Sequence, residues 1–242
     1  MKNKKIEAIT YCYNYSDFLS ETISDNKHHF DNYIIVTGED DKKTIEICDL
    51  HNVACYTLNP ANYKKEEFRS HCLNLALDKL KYKEWIINLD ADIWLPPRTR
   101  FLLESKDLNE KYIYGIDRLM CNSYKDWIKF KKRPKIHEGW IYLHLNAFEM
   151  GVRNVAYTSG EGYIPIGFFQ LWNVKETGIR EYPIQHQDKI DWQDRIDTIH
   201  AKKWEPKHRG FIPEIVAVHL ESHEAEMGVN WDNGRKSPYF GL

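Results

Sequence analysis

The stretch Glu84-Trp-Ile-Ile-Asn-Leu-Asp90-Ala-Asp92-Ile-Trp-Leu-Pro96-Pro97 is an apolar run that ends in two carboxylates and a double proline. Branched and aromatic residues are typical of a buried strand, and the two prolines prevent its continuation. If the backbone stays extended to Asp92, the two-residue period of a strand places both carboxylates on one side. Adjacent carboxylates repel each other unless a cation or protons lie between them. The stretch therefore predicts a Mg²⁺ or Mn²⁺ site that acts on phosphates, with a solvated turn as the alternative.

The composition is that of an ordinary globular domain. The 242 residues, 42% of them hydrophobic, are enough for one domain with its own core, and no boundary divides them. A net charge of −2 excludes a chain that binds polyanions over its whole surface. Five cysteines without C-x-x-C spacing argue against a disulfide framework or a structural zinc site. Because no signal peptide and no long apolar span are evident, we predict a soluble cytoplasmic protein.

The first half of the chain alternates between strand and helix patterns. Strands are predicted over residues 6–12, 33–37 and 54–58, and the apolar run that ends in the Asp-x-Asp motif is the fourth. The strongest helix pattern runs from Asn62 to about Lys81. Its apolar stripe consists of Phe68, Cys72, Leu75, Ala76 and Leu80. This order predicts an α/β fold with a mostly parallel sheet, in which ligands bind at the carboxyl ends of the strands. The loops 13–16 and 38–41 are expected to meet the Asp-x-Asp motif there.

The second half is less regular, and it contains further candidates for chemistry. Strands are predicted over 112–120, 163–172 and 215–220, and Gly167 within the second of these allows a close approach. Asp191, Asp194 and Asp197 are spaced by three on a predicted helix. Asp194 or Asp191 is a candidate base for an acceptor hydroxyl, with a solvated helix acid as the alternative. His219, at the end of the last strand, is a candidate metal ligand or a structural histidine.

A basic cluster lies between these strands. It consists of Lys125, Lys129, Lys131, Lys132, Arg133 and Lys135. Such a cluster is either a solvated face or a receiver of an anionic substrate. Signatures of other enzyme classes are missing, since the chain has no G-x-S-x-G, no Walker-type phosphate loop and no G-x-G-x-x-G. The sequence therefore argues against a serine hydrolase, a P-loop NTPase and an NAD enzyme.

Together these motifs resemble the nucleotide-sugar-dependent glycosyltransferases of the GT-A fold, over roughly residues 6–220. The resemblance implies a Rossmann-like domain with a mostly parallel central sheet and helices on both faces. About 1–97 would form the nucleotide-binding half, and about 98–242 the acceptor-binding half and tail. The ending, His219-Leu followed by Asn230-Trp231 and Gly234-Arg235, resembles short bacterial and phage-encoded members.

The resemblance also implies roles for single residues. Asp92 and His219 would bind Mn²⁺ or Mg²⁺, with Asp90 nearer the ribose or a metal-bound water. Asp194, or else Asp191, would be the catalytic base of an inverting transfer. Contacts to the nucleotide sugar are implied for Tyr11, Tyr13, Asn14, Glu39, Asp40, Arg69, Asn74, Asp90, Gln170, Asn230, Trp231 and Arg235.

The partners follow from the same resemblance. The donor would be a nucleotide-diphosphate sugar. The acceptor would be either modified-base DNA or a surface glycan. DNA would bind through the Lys125–Lys135 patch, and the chain would then be phage-encoded and act in the cytoplasm of the host. Two rivals stay open. A nucleotidyltransferase normally has a glycine-rich loop after the first strand, which residues 11–17 lack. A non-catalytic carbohydrate- or nucleic-acid-binding protein would need no metal.

Overall fold

The computed structural model describes residues 4–121, 124–132, 152–153, 158–159, 162–186 and 195–220. Its first half contains β1 Ile6–Tyr11, α1 Ser16–Asn26, β2 Asn32–Gly38, α2 Lys42–His51, β3 Ala54–Leu58, α3 Lys65–Asp78 and β4 Trp85–Leu89. Its second half contains β5 Ile93–Trp94, α4 Thr99–Ser105, β6 Ile113–Cys121, α5 Tyr124–Lys131, β7 Val152–Arg153, β8 Thr158–Ser159, β9 Gly162–Tyr163, β10 Phe169–Asn173, α6 Val174–Thr177, α7 Ile196–Ala201 and β11 Arg209–Leu220. Short 3₁₀ turns cover Lys27–His29, Pro60–Asn62 and Pro206–His208.

Strands from both halves of the chain form one sheet. Within the described ranges its order is β3-β2-β1-β4-β10-β6-β11-β5, and β7 pairs with β6. The strands β1 to β4, β6 and β11 run in one direction, whereas β10, β5 and β7 run in the other. The predicted α/β fold with a mostly parallel sheet is therefore confirmed.

Helices cover both faces of the sheet. Ala8 of β1 packs in a cluster with residues of α1 and α2, including Leu19 and Cys48. Its neighbour Ile9 packs in a second cluster with residues of α3, including Phe68. Because successive side chains of a strand point to opposite faces, these two clusters lie on opposite sides of the sheet. This arrangement is the doubly covered sheet that the alternation of strands and helices predicts.

The sheet curls so that its far edge returns to the end of β4. The chain passes from β4, in the middle of the sheet, to β5, at its edge, through residues 90–92 alone. A link of this length spans at most about 15 Å. Leu220 N, at the end of β11, donates to Asp92 O at 2.8 Å. The end of β11 is thereby brought to the Asp-x-Asp motif.

Two predicted elements have different bounds. α3 begins at Lys65, because Asn59 caps a separate 3₁₀ turn by accepting a hydrogen bond from Ala61 N at 3.0 Å. The predicted strand over 163–172 is interrupted, since β9 ends at Tyr163 and β10 begins at Phe169. A turn at Gly167 separates them.

All five cysteines are thiols, as the odd count and spacing predict. Among the residues that the structure describes, no helix is long and apolar enough to cross a membrane.

His29 couples the stability of this fold to pH. It is buried in the 3₁₀ turn Lys27–His29, and burial lowers its pKa to about 4, against 6.5 for an ordinary histidine. The unfolded chain then binds a proton that the folded chain excludes. This part of the stability is complete above pH 6.5 and is lost as the pH falls towards 4. The full loss is about 3 kcal/mol of unfolding free energy.

We expect His29→Gln to remove this part of the pH dependence in urea unfolding between pH 7 and 4. The exposed neighbour supplies the control, because His28→Gln should keep the pH profile of the wild type. Parallel profiles for wild type and His29→Gln would contradict the assignment.

Candidate active site

The loops after β1 and β2 lie against each other, as predicted. Asn14 N donates to Asp41 Oδ2 at 2.9 Å, and Tyr13 Oη donates to Asp40 Oδ2 at 2.8 Å. Asn14 has a φ of 59°, a left-handed conformation that asparagine tolerates better than most residues. A glycine is required at position 38, where the two loops meet, because a Cβ there would lie 2.5 Å from both Tyr13 and Asp40.

Asp41 organises this pair of loops, a role that the sequence analysis missed. Its buried carboxylate caps α2 by accepting from Thr44 N at 3.2 Å and from Thr44 Oγ1 at 2.7 Å. It also accepts from Thr37 Oγ1 at 3.0 Å. Glu39 and Asp40, the acids predicted to contact the nucleotide, are exposed at the tip of the same loop. An acid three residues before a threonine at a helix start is the signal that identifies this cap.

Aromatic rings form a wall between the first loop and α3. Phe68 lies edge-on to Tyr11 and Tyr13, with ring centroids 6.2 and 5.3 Å away. Burial raises the pKa of Tyr11, and burial together with the hydrogen bond to Asp40 raises the pKa of Tyr13 to about 12. Both phenols therefore keep their protons at neutral pH and can donate hydrogen bonds.

The Asp-x-Asp motif forms a tight turn. β4 ends one residue before Asp90, and Ile93 N donates to Asp90 O at 3.2 Å. Thr22 of α1 fixes the turn by donating from Oγ1 to Ala91 O at 2.8 Å. The expectation of an extended backbone up to Asp92 is therefore wrong. The two carboxylates are neighbours through the turn and not through the period of a strand.

Asp92 and His219 meet at the end of the turn. Asp92 Oδ2 lies 3.2 Å from His219 Nε2, and the two side chains are 15% and 10% exposed. Burial raises the pKa of Asp92, but the charge of His219 and its hydrogen bond outweigh that effect and hold the pKa below its usual value. Asp92 is therefore ionised at neutral pH.

The Asp92–His219 pair fits a divalent cation. Within the described residues, Asp92 Oδ1 and His219 Nδ1 are buried without a hydrogen-bond partner. Ligands at neighbouring positions of an octahedral shell with bonds of about 2.1 Å lie about 3 Å apart, close to the observed 3.2 Å. Among those residues no three His, Cys, Asp or Glu side chains gather. Phosphate and water oxygens are suitable further ligands for Mn²⁺ or Mg²⁺ at this pair.

Asp90 lies beside a cation. Arg69 Nη2 is 3.3 Å from Asp90 Oδ1, and both Nη atoms of Arg69 contact the carboxylate of Asp197. Burial raises the pKa of Asp90 to about 7, and the negative charges of Asp92 and Asp197 add to it against the charge of Arg69. The Asp-x-Asp pair is therefore asymmetric, since the pKa of Asp92 is held below its usual value and that of Asp90 is raised above it.

Gln170 and Asn74, two of the residues predicted to contact the nucleotide sugar, make hydrogen bonds within the protein. The Gln170 amide is fully buried; it donates to Pro165 O and Asp197 O, and accepts from Tyr182 Oη at 2.8 Å. Asn74 exchanges two hydrogen bonds with the backbone of Tyr182, at 2.7 and 3.1 Å. These hydrogen bonds of Gln170 and Asn74 support the segment before α7.

Gly167 and Arg118 complete the surroundings of the turn. A Cβ at Gly167 would lie 2.3 Å from the Asp197 carboxylate, so the predicted close approach at this glycine is confirmed. Arg118 of β6 is buried with its guanidinium 4.5 Å from the Phe168 ring centroid. Its positive charge lowers the pKa of both Asp90 and Asp92. The sequence signal for Arg118 was a cation inside an otherwise buried strand.

Several predicted residues lie outside the described part of the chain. They are Asp191, Asp194, Asn230, Trp231 and Arg235, together with Arg133 and Lys135 of the basic patch. The side chains of Lys125 and Lys129 are likewise not described. Lys131 forms an ion pair with Glu21 at 2.9 Å, and Lys132 is exposed.

No model of a known protein family matches this chain, and no curated protein matches it. Solved structures share its fold. Glucosyl-3-phosphoglycerate synthase from Mycobacterium tuberculosis, in complex with Mn²⁺, UDP-glucose and phosphoglyceric acid, has a TM-score of 0.52 and 7% identity over 90% of this chain and 72% of that chain. An inositol-1-phosphate CTP transferase from T. maritima has a TM-score of 0.50 and 12% identity over 92% of this chain and 91% of that chain. The chain therefore has the Rossmann-like GT-A fold that its motifs resemble.

Proposed function

We propose that this chain is a metal-dependent glycosyltransferase that moves a sugar from a nucleotide-diphosphate sugar to an acceptor hydroxyl. The observation that carries the proposal is the Asp92–His219 pair, with its unsatisfied carboxylate oxygen, at the carboxyl end of the central strand of a GT-A fold. The neighbour from Mycobacterium tuberculosis carries Mn²⁺ with UDP-glucose, which supports a metal and a nucleotide-sugar donor here.

The described residues divide the work of binding the donor. Asp92 and His219 hold the metal, which when bound neutralises charge on the leaving diphosphate. Asp90, with its pKa near 7, hydrogen-bonds the ribose or a metal-bound water. Tyr13 and Asp40, at the joined loop tips, hold the nucleoside.

The acceptor hydroxyl needs a base, which we assign to Asp194, with Asp191 as the second candidate. Asp197, three residues further, is unsuited because its carboxylate is engaged by both Nη atoms of Arg69. Attack opposite to the leaving diphosphate inverts the configuration of the sugar. Trp231 and Arg235, outside the described residues, are proposed as further contacts to the nucleotide sugar.

A nucleotidyltransferase shares the fold, as the T. maritima neighbour shows. Such chemistry uses backbone N–H groups of a glycine-rich loop to hold a triphosphate. In this chain the Asn14 N–H already donates to the Asp41 carboxylate, and no glycine lies between Tyr11 and Asp17. An anion thus occupies the donor that a phosphate would use, which favours sugar transfer.

The first test is a panel of nucleotide sugars with the purified chain and Mn²⁺. We expect one of them to raise the melting temperature, as a ligand that binds only the folded state does. The same compound should release its nucleoside diphosphate, and EDTA should stop the release. Pyrophosphate formation from a nucleoside triphosphate and a sugar phosphate would indicate a nucleotidyltransferase. Binding that is unchanged by EDTA would indicate a carbohydrate-binding protein.

The acceptor is tested next with phosphoglyceric acid, a surface-type oligosaccharide and modified-base DNA. The described part of the basic patch gives DNA little support, because Lys131 is already paired with Glu21. If DNA is nevertheless the acceptor, transfer should fall steeply as salt is raised, because phosphate contacts release counterions. Transfer that is insensitive to salt would exclude the polyanion and leave a glycan or a small acid.

A further inference from the structure

Arg69 lies between two carboxylates that come from distant parts of the chain. Its Nη1 donates to Asp197 Oδ2 at 2.7 Å, and its Nη2 lies 3.3 Å from Asp197 Oδ1. The same Nη2 is 3.3 Å from Asp90 Oδ1. Two-point contacts between a guanidinium and a carboxylate are the stronger kind. Of these two carboxylates, Arg69 contacts Asp197 at two points and Asp90 with one atom.

The position of Asp197 is set by its surroundings and not by Arg69 alone. Gln170 Nε2 donates to Asp197 O at 2.8 Å. The Asp197 carboxylate is only 8% exposed and packs against Gly167, in the space that a side chain at that position would fill. Asp197 also lies in the first turn of α7, where the helix dipole favours a negative charge. The carboxylate is thus fixed before any ligand binds.

We propose that Asp197 is a positioning residue that keeps Arg69 from closing on Asp90, so that the Asp90 carboxylate stays available to the metal-bound donor. This inference rests on the proposed function. It assigns to Asp197 no contact with the donor or the metal. The positioning role also explains why glycine is needed at position 167, since any side chain there would displace the Asp197 carboxylate.

The consequence is tested by Asp197→Asn. An asparagine has one acceptor oxygen and no charge, so Arg69 should turn to Asp90 and hold it by two points. We expect the binding of Mn²⁺ together with UDP to weaken about tenfold. In this proposal Arg69 does not contact the donor, because its Nη atoms bind Asp197 and Asp90. Adding Arg69→Gln therefore removes only the competing cation, and binding by the double variant should return to within about threefold of the wild type. A merely structural Asp197 would change the melting temperature of the variants but not the affinity of the folded protein for Mn²⁺ with UDP, so the melting temperature of each variant is measured beside its affinity.

The readout is the electron paramagnetic resonance signal of unbound Mn²⁺, titrated with protein in the presence of UDP. Asp31→Asn is the matched control, since Asp31 also pairs with an arginine, Arg100, at 2.7 Å, but at the start of β2, away from the crevice. It should bind like the wild type. Asp197→Ser, which is also neutral, replaces Asp197→Asn if that variant does not fold, with the same expectation.

Each outcome has one meaning. Weaker binding by Asp197→Asn with recovery in the double variant supports the positioning role. If the wild type binds but Asp197→Asn binds equally well, or the double variant binds no better than the single one, the positioning role is overturned while the proposed function stands. If the wild type itself does not bind Mn²⁺ with UDP, the proposed function fails and the inference fails with it.

Discussion

Asp92→Asn is expected to lower sugar transfer by about 10³-fold while the protein stays folded. The substitution keeps the shape of the side chain but removes the charge that lies 3.2 Å from His219 Nε2. Without that charge a divalent cation is left, among the described residues of the site, with His219 and with Asp90, whose carboxylate already contacts Arg69. The measurement is kcat/KM with the donor from the nucleotide-sugar panel, at saturating Mn²⁺.

Asp78→Asn is the control, because Asp78 is an exposed acid at the end of α3. Its kcat/KM should equal that of the wild type. The circular dichroism spectrum of Asp92→Asn should match that of the wild type, which would show that the variant is folded. If folded Asp92→Asn transfers sugar with the kcat/KM of the wild type, Asp92 is not a metal ligand that the reaction needs.

Glu7→Gln is expected to have the largest effect on stability. The Glu7 carboxylate is fully buried in β1, where Oε1 accepts from Asn32 Nδ2 and Lys81 N, and Oε2 accepts from Tyr82 N and Lys83 N, all at 2.7 to 2.8 Å. Glutamine replaces one of the two carboxylate oxygens with an NH₂ group, which cannot accept a hydrogen bond. Two of the four N–H groups that Glu7 binds then lose their acceptor. The expected loss is about 3 kcal/mol of unfolding free energy, or a melting temperature lower by about 6–12 °C.

The same carboxylate also sets where β4 begins. It binds three successive backbone N–H groups, and Lys83 there has a φ of 53°, a conformation that a lysine adopts only when it is held. Glu46→Gln on the exposed side of α2 is the matched control and should unfold like the wild type. If Glu7→Gln unfolds at the same urea concentration as Glu46→Gln, the buried carboxylate does not stabilise the β1–β4 pair as described.

The first half of the fold was predictable because its signals are local. An apolar run that stops at Pro96-Pro97 shows the central strand. Of the predicted helical stripe, Phe68, Cys72, Ala76 and Leu80 are buried, whereas Leu75 is half-buried. The order of strands and helices then fixes which loops share an edge of the sheet. For the same reason the meeting of Tyr13 with Asp40 was predictable without coordinates.

The partners within the site were harder to predict, because they depend on contacts between residues far apart in sequence. Arg69 and Asp197 are separated by 128 residues, and no spacing rule relates them. The curl of the sheet that brings His219 to Asp92 follows from the pairing of β5 with β11, and two-residue strands leave almost no pattern in a sequence. Only Gly167 pointed to a close approach, and it did not say that Asp197 was the group approaching.

The choice among neighbouring acids was the other difficulty. Glu39, Asp40 and Asp41 are equivalent by residue type, yet only Asp41 is buried. What separates them is the geometry of the helix start, where Asp41 caps α2 and also accepts from Asn14. A cap is visible in a sequence, but its second partner across the crevice is not.

The most direct test of the account is the location of Mn²⁺ in crystals grown with Mn²⁺ and UDP, read from its anomalous diffraction. The account predicts a peak within about 2.3 Å of a carboxylate oxygen of Asp92 and of a ring nitrogen of His219, next to the diphosphate. UDP bound with no peak at that position, and with Asp92 and His219 still hydrogen-bonded to each other, would contradict it.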